Sequence, residues 1–321
     1  MKMSADTTAV LRSDRKVRTK ASGIFRNLCE RPTLYLLALP GLVFFILFKF
    51  VPSAGSVIAF QDFNIFKGIA RSDWVGLANF KALLGYSDFS RIFINSVTLG
   101  ILKVGFTFPV PIMLALLLNE LRPGPFQKIS QTSLYLPHFL SWVVVSQLFI
   151  NILSPQGGAV NAAIVAFGGE PIFFMAKEAW FRPIFIFSSI WKEAGYESIV
   201  YLAALASIPQ DMYESASIDG ANRFQQLIKI TLPFILPTVA VMFLLRIGQF
   251  LEVGFDQIWT LANPLVWSVA DIFDTYVYRV GVLGGAYSMS TAVSLFKSIL
   301  NLSFLLGGNA LAKRLAGRGL F

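Results

Sequence analysis

Residues 212–237 read MYESASIDGANRFQQLIKITLPFILP, a polar insert between two strongly apolar runs. Pro209 opens a helix-compatible piece from Gln210 to Asp219, and Gly220 breaks it from a second piece. In the second piece Phe224, Leu227 and Ile228 fall at i, i+3 and i+4, an apolar stripe on one face. A helix–Gly–helix this short cannot span a membrane. It can lie along the surface and offer one face to a groove in a partner. The insert is therefore read as a loop joining two membrane helices, and the chain as an all-α membrane protein.

Composition agrees. Of 321 residues 55% are hydrophobic and 14% charged, with a mean hydropathy of +0.64. A soluble domain carries about 25% charge, so the excess apolar surface must face lipid. The formal charge of +9 fits basic cytoplasmic ends of a membrane protein better than nucleic-acid binding. The single cysteine, Cys29, excludes an internal disulfide and a cysteine-based metal site. His138 lies in an apolar run and reads as packed or helix-bonded. No G-x-x-x-x-G-K-[ST] is present, so the chain carries no nucleotide loop and no cofactor of its own is expected.

Working outward, six apolar runs are long enough to cross a hydrocarbon core, which takes about 20 helical residues. They are 34–57, 92–118, 133–153, 183–206, 231–255 and 291–311. Residues 1–33 form a basic tail with eight Lys/Arg; no small-residue cleavage site follows the first apolar run. With that tail inside, inner segments hold fifteen Lys/Arg and outer segments seven. This predicts N-in/C-in, with the loop around Gly220 cytoplasmic. The expected organisation is a tail (1–33), a six-helix transmembrane domain (34–313) containing the loop 207–232, and a short basic C-terminal tail (314–321). In the outer segment 256–289, Val269, Ile272, Phe273, Tyr276, Val277 and Val280 form a helical stripe with Asp271 and Asp274 on the other side, predicting one short amphipathic helix.

The spacing E-x-A-x-x-x-G-x9-I-x-L-P, carried by Glu214, Ala216, Gly220, Ile230, Leu232 and Pro233, resembles the EAA loop of binding-protein-dependent ABC importer permeases. Ser215 departs from the usual Ala. WVGLANF (74–80), GFDQIWTLANPL (254–265) and DTYVYRVG (274–281) are similar to the carbohydrate-uptake, MalF/LplB-like branch, extending the resemblance over most of residues 30–320. It implies a type I importer permease fold in the cytoplasmic (inner) membrane, crossing it several times. It implies a coupling helix carried by Glu214, Ala216, Asp219, Gly220 and Ala221, with Glu214 meeting a basic residue of the ATPase. An acidic group there also suits a helix N-terminus; the plain alternative is a solvated carboxylate. Implied partners are two ATP-binding subunits that hold ATP and Mg, a second homologous permease (or another copy of this chain) and an extracytoplasmic sugar-binding protein. The chain itself would be a transport subunit and not an enzyme. The implied cargo is an oligosaccharide of the acidic, alginate type.

Five basic residues fall inside the runs: Lys49, Lys103, Lys192, Arg246 and Lys297. Each costs about 2.5–3.5 kcal/mol at a helix centre. Lys49 and Lys103 can partly snorkel. The others have polar residues on the same helical face: Lys192 with Tyr196, Arg246 with Gln249, Lys297 with Asn301; Gln147 and Asn151 repeat the pattern. With Trp142 and Tyr201 as aromatic surface, these stripes can line a path in which cations meet carboxylates and amides meet hydroxyls. The competing reading is a set of interhelical pairs, with Glu193, Glu197 and Glu252 as counter-ions and Arg246 paired to Glu193. An ion-coupled secondary transporter stays as the alternative function; it predicts inverted repeats, and none is visible. A membrane enzyme is a third reading, for which one histidine leaves little acid–base chemistry.

Overall fold

Proline and glycine positions account for most of the breaks between helices. The computed structural model describes residues 32–316, so residues 1–31 of the predicted tail 1–33 and 317–321 of the predicted tail 314–321 lie outside the described residues, while 32–33 begin one helix and 314–316 end another. Two compact units divide at Ser56. The first contains helix α1 (Pro32–Phe45), which runs through a π turn (Ile46–Phe50) into Val51–Ala54. It is apolar on all sides, as a lipid-facing helix is.

The second unit opens with a two-stranded ribbon, β1 (Gln61–Asp62) antiparallel to β2 (Asp73–Trp74). The Asn79 amide ties it down by donating to the Ala59 and Gln61 carbonyls, at 2.9 and 3.0 Å. Helix α2 (Phe89–Leu102) continues through a π turn (Lys103–Thr107) into α3 (Pro109–Asn119). The extra residue in that turn falls just before Pro109, which cannot donate to the helical ladder. Next come α4 (Pro125–Tyr135), α5 (Trp142–Ile152), α6 (Glu178–Ala206), α7 (Gln210–Ile218), α8 (Leu232–Gly248), α9 (Phe255–Leu261) and α10 (Tyr287–Ala316).

Four stretches are helical, long and apolar enough to cross a membrane: Leu36–Phe60, Phe89–Asn119, Arg223–Gly248 and Tyr287–Ala310. They match the first, second, fifth and sixth expected runs. The third run is not one helix. Residues Pro125–Phe139 and Trp142–Ile152 meet at a bend of 104°. Pro137 tightens the chain into a 3-10 turn, Leu140 is extended, and Ser141 restarts the helix by accepting the Val144 N–H on its hydroxyl. The fourth run is a continuous helix of 29 residues, α6, but it carries Glu178, Arg182, Lys192, Glu193 and Glu197. Its charges are accommodated by protein. It packs along α3 and is also touched by α4, α5 and α8, and Phe185, Ser188, Lys192 and Gly195 on it are buried.

The outer segment departs from expectation. It divides into α9, Trp267–Ala270, Phe273–Tyr276 and a π turn (Val277–Leu283). Phe273 and Tyr276 are buried as their stripe predicts, but Asp271 is also fully buried. Its carboxylate accepts from the Thr275 hydroxyl (2.8 Å) and the Arg279 guanidinium (2.7 Å), so satisfaction of one acid breaks the helix that spacing suggests.

Three apolar clusters hold the unit together. One centres on Leu99, Phe185, Val253 and Ile258. A second centres on Leu83, Phe250, Phe273 and Val293. The third, around Ala115, Tyr201, Leu205 and Ile235, anchors the polar insert.

Candidate functional site

The insert folds as its punctuation predicts. Pro209 caps α7, and Gly220, at φ 81°, ends it in the left-handed region. The Ala221 N–H donates to the Ala216 carbonyl (2.9 Å) and the Gly220 N–H to that of Ser217 (3.1 Å), a Schellman closure. Asn222 then starts the next turn (Arg223–Gln226) with a reciprocal capping box: its side chain accepts the Gln225 N–H (2.8 Å) and the Gln225 side chain accepts the Asn222 N–H (2.9 Å). The N-x-x-Q spacing of Asn222 and Gln225 is the sequence signal for this cap.

Tyr213 and Ile230 pack against the third cluster, and the Tyr213 and Thr231 hydroxyls bond at 2.9 Å. Two large apolar side chains stand out on its outer surface, Ile218 at 87% and Phe224 at 68% exposed, among exposed polar residues such as Asp211, Ser215 and Arg223. Beside them is a groove of about 890 Å³ lined by Glu120, Tyr213, Glu214, Ser217, Asn222 and Arg223. Glu214 sits mid-helix with Asp211 in the first turn, so the helix-dipole role expected for Glu214 belongs to Asp211. Asp219 is exposed at the end of α7.

The polar residues of the spans separate into two groups. Trp142, Arg246 and Gln249 line one cavity of about 240 Å³, together with Lys103, Thr107, Glu193, Glu197 and Glu252. Lys192 is buried at its edge. Its ammonium donates to the His138 carbonyl (2.8 Å) and Glu193 (3.0 Å) and lies 5.3 Å from the Trp142 ring centre. Tyr196 stacks on the His138 imidazole at 3.8 Å, and that ring bonds Glu193 at 2.7 Å. His138 is thus held at the bend between α4 and α5 by an acid of α6. Lys103 does not snorkel. It donates to the Val253 carbonyl (2.6 Å) and lies 5.9 Å from the Phe185 ring centre.

Arg246 pairs with Glu197 at 3.4 Å, not with Glu193, and donates to the Thr107 hydroxyl at 2.8 Å. Glu193 is already engaged by Lys192 and His138. Three segments, α6, α8 and the π turn after α2, converge on this one guanidinium.

The second group lies apart from the cavity lining. Lys297 pairs with Asp274 at 2.6 Å, and the Asn301 side-chain Oδ1 accepts the Leu251 N–H at 3.0 Å. These contacts join α10 to the outer segment and to the end of α8. Gln147 donates to Asn151 at 3.0 Å on an exposed face of α5. Tyr201 belongs to the third apolar cluster.

Comparison with known proteins places this geometry. Residues 107–317 match the family model described as "Binding-protein-dependent transport system inner membrane component". "Protein LplB" of Bacillus subtilis is 44% identical over 98% of this chain and 99% of its own length. The "Polygalacturonan/rhamnogalacturonan transport system permease protein YteP" of the same organism is 45% identical over 95% of each. Among solved structures, "a bacterial ABC transporter involved in the import of the acidic polysaccharide alginate" matches with a TM-score of 0.84 and 40% identity, over 91% of this chain and 99% of that one. A complex of the alginate transporter with "alginate pentasaccharide-bound periplasmic protein" gives 0.85, at 39% identity over 92% and 99%.

Proposed function

Because this chain belongs to the binding-protein-dependent transport system inner membrane component family, we propose that it forms half of a translocation path for an acidic oligosaccharide and is driven through the segment around Gly220. It is a multi-pass sugar permease of an ABC importer, with the all-α permease fold and no enzymatic activity of its own. The observation that carries the coupling role is the rigid, outward-facing helix–Gly–capping-box unit with Ile218 and Phe224 unpartnered beside the groove at Glu214. Anchored to the bundle by Tyr213 and Ile230, it can transmit a push from a docked ATPase to α6 and α8. In this reading Glu214, Ala216, Asp219, Gly220 and Ala221 form the coupling helix, with Glu214 meeting a basic residue of the ATPase.

The cargo reading rests on the cavity and on relatives. The cavity sets Lys103 and Arg246 beside Glu193, Glu197 and Glu252 and is walled by Trp142, an aromatic face suited to a sugar ring, so the acidic character of the cargo rests on the relatives. Two of the similar proteins carry acidic polysaccharides in their names. Cavity position supports Trp142, Arg246 and Gln249 as path residues, with Lys192 and Tyr196 at its edge. Gln147 and Asn151 fit the path only once a second permease covers α5. We assign Lys297 and Asn301 to structural pairing. Six crossings of the inner membrane, two ATP-binding subunits holding ATP and Mg, a second permease and an extracytoplasmic binding protein complete the assembly.

The test is isolation from the native membrane in mild detergent, beside a Gly220→Pro variant. The expected result is co-isolation of a P-loop ATPase and a second permease, with the ATPase lost from the variant. A lone chain that moves an acidic oligosaccharide into vesicles without ATP would overturn the reading in favour of an ion-coupled carrier.

A further inference from the structure

The Arg246–Glu197 contact is unlike the other ion pairs of this unit. Lys297–Asp274 and Arg279–Asp271 close at 2.6 and 2.7 Å, and Lys192–Glu193 at 3.0 Å. Arg246 meets Glu197 through one nitrogen, at 3.4 Å, while its other terminal nitrogen is held by the neutral Thr107 hydroxyl at 2.8 Å. A guanidinium is built to hold a carboxylate by two parallel N–H bonds, and a single long contact uses little of that capacity. Both partners are partly open, with side chains 24% and 30% exposed, and both line the 240 Å³ cavity.

We propose that Arg246 is the carboxylate receptor of this cavity and that Glu197 is its resident counter-ion, displaced when a carboxylate of the cargo enters; Glu197 is then the residue that sets preference for acidic over neutral sugars. The proposal rests on the acidic-oligosaccharide reading above. Its physics is a competition. With no cargo, Glu197 lowers the cost of leaving an arginine inside the membrane bundle. An entering uronate offers the bidentate geometry that Glu197 does not make. A neutral sugar has no group able to displace a carboxylate, so it meets a guanidinium already neutralised. Thr107 fixes the guanidinium during the exchange. Glu193 is held by Lys192 and His138, and Glu252, which also lines the cavity, makes no ion pair with Arg246. The exchange would also release α6 from α8, since this pair is an ionic tie between them.

The test uses the complex isolated from its membrane and calorimetric titration with two probes, a galacturonate pentasaccharide and the same pentasaccharide with its carboxyls reduced to alcohols. Removing the competitor in Glu197→Gln is expected to tighten binding of the acidic probe roughly two- to fivefold, the range of one partly exposed ion pair, and to leave the reduced probe unchanged. Arg246→Lys keeps the charge and loses the fork, so it is expected to weaken the acidic probe alone. Glu197→Asp, which retains the charge, is expected to stay near wild type, which separates competition from misfolding. If wild type binds the acidic probe and Glu197→Gln binds it equally or more weakly, the counter-ion role is wrong while the cargo reading stands. If wild type binds neither probe, or binds both equally, the acidic-cargo reading falls and this proposal with it.

Discussion

Gly195 and Gly307 both sit on long helices and differ in what faces them. A Cβ on Gly195 would collide with the Leu134 carbonyl of α4, whereas one on Gly307 of α10 meets nothing within 4 Å. Gly195→Ala therefore forces α4 off α6 and is expected to cost about 1–3 kcal/mol, as overpacking does. Gly307→Ala is expected to be neutral or to stabilise by up to about 1 kcal/mol, through helix propensity. Melting of the two variants in detergent checks this; equal shifts would show that the close approach is relieved at no cost. At this scale the sequence was partly legible. Residue types and shared helical faces placed Trp142, Lys192, Arg246 and Gln249 among the path candidates. Their partners were not legible, because the deciding pairs cross elements: His138 with Glu193 over 55 positions, Arg246 with Glu197 over 49 and with Thr107 over 139. Whether Lys297 faces a path or an aspartate is likewise a question of tertiary contact.

The insert from Gln210 to Gln226 shows what one element can carry by local rules alone. Gly220→Ala meets no atom, so its cost is purely that of a Cβ in the left-handed region, roughly 1–2 kcal/mol. Asn222→Ala removes the capping box, for about 1 kcal/mol, while Asn222→Ser keeps a cap. The element is exposed and docks outward, so these losses are expected to lower cargo-stimulated ATP hydrolysis of the complex while leaving its melting temperature nearly unchanged. ATPase rates for the three variants test this; an Asn222→Ser complex as impaired as Asn222→Ala would remove the capping argument. Pro209, Gly220 and the apolar flanks made this element readable from sequence because each acts within a few residues. The bend after α4 was not readable in the same way. Pro137 lies within an apolar run, and only the extended Leu140 and the restart at Ser141 turn it into a corner of 104°. The outer segment failed for the opposite reason: Asp271, expected on the wet side of a helix, is satisfied internally by Thr275 and Arg279.

Across the whole molecule the open quantity is the number of crossings, and parity makes it testable. Four helices qualify by length and apolarity, and the bent pair and α6 remain. At 1.5 Å per residue α6 is about 44 Å long, ample for a core of about 30 Å. It lies along α3, which belongs to the candidate span Phe89–Asn119, and its charges are met inside the bundle, so α6 is expected to cross as well. If the bent pair did not cross, the insert with Arg223 and Lys229 and the basic C-terminal end would fall outside, against the Lys/Arg asymmetry. Six crossings therefore put residue 167 outside and residue 219 inside. If neither the pair nor α6 crossed, both would be inside. Phe167 is 92% exposed and Phe66 96%, so each can carry a probe. With Cys29 replaced by Ser, cysteines introduced singly at Phe66, Phe167 and Asp219 are treated in intact cells with a membrane-impermeant maleimide. The expected result is labelling of Phe66→Cys and Phe167→Cys, and protection of Asp219→Cys until the cells are opened. Protection of Phe167→Cys would make α4–α5 a re-entrant hairpin, leaving four crossings if Asp219→Cys is protected too and five if it is labelled.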